Sequence, residues 1–565
     1  MKIFKKRLLI VFIFVLNIVL LGILVKCEKK SQTISSEFSG QVSVQQAIQV
    51  AKTVASEQNL RGGVGGSAVA IRGVFPESLK ETNLIYVVKF LPVGFALISA
   101  DKRIIPILGY SFETDYEEGK IPYPLSELIE QWKAEIQLII EESPPENPRT
   151  TEQWRKLQTT RHQRNNRTVL PLMATNWDQG YPWNQYCPID EDGPGDHVWA
   201  GCVAVSMAQV MKYWNYPDIG VGSHSYYHVD YGTLSADFGE TEYDFASMLN
   251  NSANPAVKTL LLHCGVAVEM DYGPDGSGAW VGLGNPNAAQ ALRIRFAYEQ
   301  NLEFYSKFQF EETEWTEMLR TELDEGRPVI YRGVSDDFGH AWNIDGYQDS
   351  IYFHCNWGWS GSYNGYYYLD DLSPGFGSDF SSSQGMIVGI QPIPTDVSAI
   401  ALNPVSLNFG EVTLGSSVSQ TIEILSVGSQ TLELLLLNIV GEYADQFEIT
   451  DEIDDFELLP GESENIEVTF TPIEVNTVFA IFQVESNSYE NSLKTAMMTA
   501  TGIISSIKGD VNFDDTIDVL DVIQAVNYIM GLVEPNENQF WASDMNDDMT
   551  INVLDVIEIV NLILQ

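Results

Sequence analysis

Cys202 opens the run CVAVSMAQVMKYW, where small and apolar residues recur at helical spacing directly after a glycine-bearing loop. A helix N-terminus carries about half a positive charge, which favours a thiolate and lowers its pKa. A thiolate that attacks a carbonyl needs an imidazole to pair with it and to protonate the leaving group, and a further group must hold that imidazole. His340 lies 138 residues after Cys202, and Asn356 lies 16 after His340. That order and spacing suit a Cys, His, Asn constellation. Histidine is scarce, seven in the chain, and two of them fall in GHAWNIDGYQDSIYFHCNWGWSG. Upstream of Cys202, NWDQGYPWNQYCP offers Gln179, whose side-chain amide suits an oxyanion.

A second set of residues could bind a cation. DVNFDDTIDVLDVIQAVNYIM returns 34 residues later as DMNDDMTINVLDVIEIVNLIL. Oxygen side chains recur at alternate positions: Asp510, Asn512, Asp514 and Asp518, closing on Asp521, then Asp544, Asn546, Asp548 and Asn552, closing on Asp555. With backbone carbonyls from Thr516 and Thr550, each is the oxygen set of a twelve-residue Ca²⁺ loop. Position 6, ordinarily Gly for the sharp turn, is Asp515 in one loop and Met549 in the other. An amphipathic helix follows each loop.

These residues need several domains around them. A chain of 565 residues is too long for one core. Its net charge of −45 argues against nucleic acid or an anionic membrane surface as partners. Lys2, Lys5, Lys6 and Arg7 precede an apolar run from Leu8 to Val25, then Cys27. This is an export signal, with a retained anchor or a lipid-anchored Cys27 as alternatives, and it places the protein outside the cell or on its surface. The five cysteines, Cys27, Cys187, Cys202, Cys264 and Cys355, are widely spaced without CxxC, so no disulfide scaffold is expected and at least one thiol is free. Cys187 is read as structural, and His354 as a strand residue rather than a ligand. Helical and strand patterns fill the first unit, which ends in the polar, basic stretch EESPPENPRTTEQWRKLQTTRHQRNNRT, read as an exposed, cleavable linker. From about residue 395, apolar and polar residues alternate over short runs broken by Gly and Ser, the pattern of a β-sandwich.

Together NWDQGYPWNQYCP, AGCVAVSMAQVMKYWNYP, GHAWNIDGY and FHCNWGWSG closely resemble the streptopain-like cysteine peptidases, over about residues 40 to 393. The resemblance implies a papain-like fold, Cys202 as nucleophile and His340 as general acid and base. It further implies that Asn356 and Trp357 orient and shield His340, that Gln179 supplies the oxyanion hole, and that catalysis needs no cofactor. The first unit, most clearly in GFALISADKRIIPILGYS, resembles the family's inhibitory propeptide. The duplicated loop-helix unit resembles a dockerin, which implies structural Ca²⁺ and a cohesin-like partner, met by Val519-Leu520 or Val553-Leu554.

The expected architecture is multidomain. Residues 1–27 form a signal peptide or anchor and 28–168 an α+β inhibitory propeptide. Residues 169–394 form the α+β papain-like peptidase, 395–505 an all-β, immunoglobulin-like sandwich spacer, and 506–565 a small α-helical calcium-loop dockerin. The expected function is a secreted cysteine endopeptidase acting on protein or peptide substrates, made as a zymogen and docked through its C-terminus. The alternatives are an inactive papain-fold binding protein and a calcium-dependent scaffold or adhesion component.

Overall fold

Alternating apolar strands followed by amphipathic helices give layered sheet-and-helix packing in the first two thirds of the chain. The computed structural model describes residues 40–60, 70–79, 82–158, 167–334, 339–370, 384–450, 456–503, 507–514 and 516–564. The N-terminal apolar run, Cys27, the basic residues 159–166 and Asp515 lie outside the described residues. No helix among the described residues is long and apolar enough to cross a membrane. The chain divides into two compact units, Met1–Pro392 and Ile393–Gln565.

In the first unit the helix Val44–Leu60 buries Ala47, Val50, Ala51 and Val54, the i, i+3, i+4, i+7 set of one face. It packs on a meander of β1 (Ala70–Leu79), β2 (Thr82–Leu91), β3 (Phe95–Ser99) and β4 (Ile107–Ser111). The helix Tyr123–Glu142 adds Leu125, Ile129, Trp132, Ile136 and Ile139 to the same core. The stretch expected to be an exposed linker is partly folded. Pro148–Gln158 is a helix whose Trp154 and Leu157 are buried, with Trp154 Nε1 donating to the Ile104 carbonyl at 2.8 Å. Two well-spaced apolar side chains outweigh the polar composition around them.

The peptidase region contributes a surface hairpin, β5 (Ser223–His228) and β6 (Gly232–Asp237), and six further strands. These are β7 (Glu303–Ser306), β8 (Val329–Val334), β9 (Gly339–Gln348), β10 (Tyr352–Asn356), β11 (Gly365–Tyr367) and β12 (Gly385–Val388). They join β1–β4 in one ten-stranded sheet of order β1-β2-β3-β4-β11-β10-β9-β8-β12-β7. The seam is the antiparallel pair β4–β11, with Tyr110 opposite Tyr366 and Gly109 opposite Tyr367. Glycine is required there, because a Cβ on Gly109 would stand 2.4 Å from the Tyr367 ring. Across the seam Ser111 Oγ donates to the Asn364 carbonyl at 2.6 Å, and Tyr110 stacks on Tyr366 at 5.4 Å. One hydrophobic core therefore runs from the first unit's helices to Trp357 and Tyr367. A second core surrounds the helix Cys202–Trp214 on the other side of the peptidase strands.

In the second unit a four-stranded and a five-stranded sheet form the sandwich. Strand Thr477–Ser486 shows why: Val478, Ala480, Phe482 and Val484 are buried at every second position. Residues 507–564 hold the two loop-helix units, with helices Val519–Ile529 and Val553–Ile563 around Val511, Ala525, Tyr528 and Ile559.

Candidate active site

Cys202 is the first residue of its helix, and Gly201 is the N-cap at φ +88°, a conformation that favours glycine. A side chain there would also meet Met270, 2.6 Å from the ideal Cβ. Every residue from Cys202 to Met211 is buried. The helix lies against β9: Asn343 Nδ2 donates to the Ser206 carbonyl at 3.2 Å, and the Ala341 amide donates to Cys202 Sγ at 3.4 Å. His340 immediately precedes Ala341 on strand β9, so the strand segment that carries the imidazole meets the start of the Cys202 helix through the Ala341 backbone.

The electrostatics differ from the expectation. Burial pushes the Cys202 thiol above its ordinary value, although backbone N–H groups of Ala341, Val203 and Cys202 itself draw it down. Burial likewise lowers His340 to about 4, against a smaller upward pull from the Trp357 backbone. Its Nε2 is enclosed and has no hydrogen-bond partner. Burial thus disfavours the charged form of both groups, and for Cys202 desolvation outweighs the helix N-terminus.

The other expected site residues are buried and tied into the same strands and loops. Trp357 is 1 % exposed, and its ring lies 5.1 Å from Trp342 on β9. Its backbone is what holds the imidazole. The Asn356 amide instead donates to the Thr175 carbonyl at 2.7 Å and pairs with Gln209 at 3.4 Å, while its Oδ1 accepts from the Gly358 amide at 3.3 Å. Asn356 thus fixes the turn that carries Trp357 and reaches His340 through that turn. Gln179 is buried, and its carbonyl accepts from the Ala200 amide at 2.9 Å, two residues before Cys202.

Gln209 escaped the sequence reading. It is fully buried, accepts from the Trp177 amide at 3.3 Å and meets Asn356, so one amide ties the Cys202 helix to both flanking segments. The signal was present as the single amide inside an apolar helix. His354 also carries more than expected. It is buried, with Nδ1 2.6 Å from Asp345 and Nε2 3.3 Å from Glu113 of the first unit. The Glu113 contact is within ion-pair reach but lacks hydrogen-bond alignment. Burial opposes its charge, yet Asp345 and Glu113 together raise His354 to about 10. Cys187, Cys202, Cys264 and Cys355 are all free and buried, and burial raises Cys187 to about 12, in keeping with a structural role.

In the C-terminal loops Asp510, Asp521 and Asp555 are fully buried carboxylates. Asp521 Oδ1 accepts from the amides of Val511 and Asn512 at 2.7 and 3.0 Å, and Asp555 does the same for Met545 and Asn546 at 2.8 and 3.3 Å. Asp514 and Asp548 donate their amides to Asp510 and Asp544. No three acidic, His or Cys side chains among the described residues converge on one point as a metal group. The oxygen donors nonetheless fit a hard cation by chemistry: each loop buries carboxylates that gain from a positive charge. Val519, Leu520, Val553 and Leu554 are 61, 52, 63 and 55 % exposed, so they are not spent on packing between the helices.

A helix-borne thiol and a strand-borne imidazole behind a tryptophan wall define a cysteine peptidase site of the papain-like class. The chain belongs to the Peptidase C10 family, whose model matches residues 177–367. Residues 39–136 match the Spi protease inhibitor, 398–501 a HYDIN/CFA65/VesB-like Ig-like domain, and 508–564 the Dockerin type I domain. Streptopain from Streptococcus pyogenes is 30 % identical over 348 residues, covering 56 % of this chain and 82 % of that protein. Thiol protease/hemagglutinin PrtT from Porphyromonas gingivalis is 28 % identical over 417 residues, 69 % of this chain; the match spans about half, 46 %, of PrtT. A solved prointerpain A fragment from Prevotella intermedia is 32 % identical, with a TM-score of 0.47, over 57 % of this chain and all of that fragment.

Proposed function

We propose that the chain is the precursor of a secreted cysteine endopeptidase that hydrolyses protein substrates and is docked through its C-terminal module. The observation that carries this is the meeting of Cys202 and the His340–Ala341 segment, joined by the 3.4 Å Ala341 hydrogen bond. In the working enzyme Cys202 passes its proton to His340 and the thiolate attacks the substrate carbonyl. The oxyanion is held by the Gln179 amide and the free backbone N–H groups at the helix start. His340 returns the proton to the departing amine, and water then hydrolyses the thioester. Trp357, with Asn356 behind it, keeps the imidazole aimed and dry. The test is Cys202→Ala, which should lower peptide hydrolysis by about 10⁴-fold or more while leaving the fold intact. Wild-type turnover in that variant would refute the assignment.

The continuous ten-stranded sheet supports a zymogen reading. The segment through about residue 168 acts as the inhibitory propeptide, and cutting between about Arg161 and Ala174 frees the peptidase. The domain limits 28–168, 169–394, 395–505 and 506–565 belong to this reading. The basic N-terminus and apolar run support export, with release or anchoring decided by the fate of residues 1–27.

For the C-terminal module, Asp510, Asn512, Asp514, Thr516, Asp518 and Asp521 would hold one Ca²⁺, and Asp544, Asn546, Asp548, Thr550, Asn552 and Asp555 a second. Bound Ca²⁺ neutralises carboxylates that repel one another and so favours the folded loops. The exposed Val-Leu pairs then face a cohesin-like partner. Calorimetry of the full chain with calcium, against Asp521→Ala/Asp555→Ala, tests this; equal heats in both would refute it.

A further inference from the structure

Strands β9, β8 and β12 place Ala341, Arg332 and Gly385 directly opposite one another, so the three share one face of the sheet. That face packs on the Cys202 helix, because Ala341 belongs to the same core as Cys202 and Asn343, two residues on, bonds Ser206. Directly opposed residues on neighbouring strands stand about 5 Å apart. Arg332 is therefore one strand away from the residue whose amide touches Cys202 Sγ.

The surroundings of Arg332 are unusual for this chain. Gly385 leaves the neighbouring place without a side chain, and the Phe304 ring leans over it: a Cβ there would come within 2.5 Å of the ring. The guanidinium lies 5.2 Å from the Phe304 centroid, a cation–π platform. Its Nε is enclosed without a hydrogen-bond partner, and no carboxylate pairs with it among the described residues. Two other arginines grip carboxylates: Arg103 bonds Asp101 at 2.8 and 2.6 Å, and Arg327 bonds Glu322 at 2.7 Å through two nitrogens. The chain has 77 acidic residues against 32 Lys and Arg, yet Arg332 makes no ion pair with a carboxylate among the described residues. Burial also lowers its pKa from the ordinary value.

We propose that Arg332 is a specificity-determining residue, receiving the carboxylate of a substrate Asp or Glu side chain beside the scissile bond. This deepens the peptidase reading and rests on it. The planar guanidinium takes a carboxylate through two parallel N–H···O bonds, and the aromatic platform holds the fork in place. An incoming acidic side chain supplies the charge the site lacks, whereas an amide of the same shape leaves the buried cation uncompensated.

The test is a mixed peptide library cleaved by the full chain after maturation, with products read by mass spectrometry. Three proteins are compared: wild type, Arg332→Gln and Arg332→Glu. Wild type should cut with Glu or Asp favoured over Gln or Asn about tenfold or more at one fixed position near the cut. Arg332→Gln should bring that ratio close to one, and Arg332→Glu should favour Lys or Arg there. Each ratio is internal to one preparation, so it does not depend on how much of a variant folds. Cutting without acidic enrichment, or enrichment that survives Arg332→Gln, would overturn the proposal while leaving the peptidase reading intact. A wild type that cuts nothing would overturn that reading, and this proposal with it.

Discussion

His340 and His354 sit on neighbouring strands, fourteen residues apart, yet their pKa values are pushed in opposite directions. Burial takes His340 down to about 4. The same burial acts on His354, but Asp345 at 2.6 Å and Glu113 at 3.3 Å reverse it and raise the group to about 10. Desolvation sets the direction for an imidazole only until a carboxylate comes within reach. His340 has no carboxylate partner among the described residues, so desolvation sets its direction. His354 is drawn toward its charged form and bridges Glu113 of the inhibitor-like region and Asp345 of the peptidase strands.

The two histidines should fail differently when removed. His340→Ala should remain folded, within about 1 kcal/mol of wild type, and lose about 10⁴-fold in kcat/KM after maturation. His354→Ala leaves Asp345 buried without its counter-charge and should cost about 3–5 kcal/mol, read as a lower urea midpoint. Equal loss of stability in both variants would erase the distinction.

Titration sharpens the comparison. The folded pKa of His340 is depressed from the ordinary 6.5 to about 4. The unfolded chain therefore binds a proton that the precursor refuses between those values, and His340 makes stability fall as pH drops from about 6.5 to 4. Maturation that pairs it with a Cys202 thiolate should raise its pKa by more than about one unit, followed by NMR of ¹³C-labelled histidine. An unchanged value in active, mature protein would exclude the ion pair.

How much of this was legible depended on the range of the interaction. Cys202 could be placed because helical spacing is local, and His340 because it stands upstream of the Asn-Trp-Gly-Trp cluster in a chain with few histidines. Gln209 was visible but unexplained, since its partners Asn356 and Trp177 come from elements remote in sequence. The His354 pair could not be read. It depends on a register shift between His354 and Cys355 and on strand β4 docking to β11, which brings Glu113 across 241 residues. The helix Pro148–Gln158 was missed because charge along EESPPENPRTTEQWRKLQ concealed the Trp154–Leu157 spacing. The sandwich was the plainest, since strict alternation in Thr477–Ser486 permits one burial pattern.

The smallest effect separates the two partners of His354. Asp345 is fully buried, whereas the Glu113 side chain is 51 % exposed, so solvent screens most of its attraction. Glu113→Gln keeps the size of the side chain and removes only its charge, and should cost the precursor less than about 1 kcal/mol. Its sign with pH is fixed by the raised pKa. His354 is more readily protonated in the precursor than in the unfolded chain, so its contribution is complete below about 6.5 and disappears as pH rises through about 10. The gap in urea midpoint between the full chain and Glu113→Gln should therefore be widest near or just below pH 6.5 and close toward pH 10. Because Glu113 belongs to the propeptide, the gap should vanish altogether once that segment has been cut away and removed. A gap that persists in the mature enzyme, or that widens on the alkaline side, would mean that the carboxylate acts within the propeptide and not through His354.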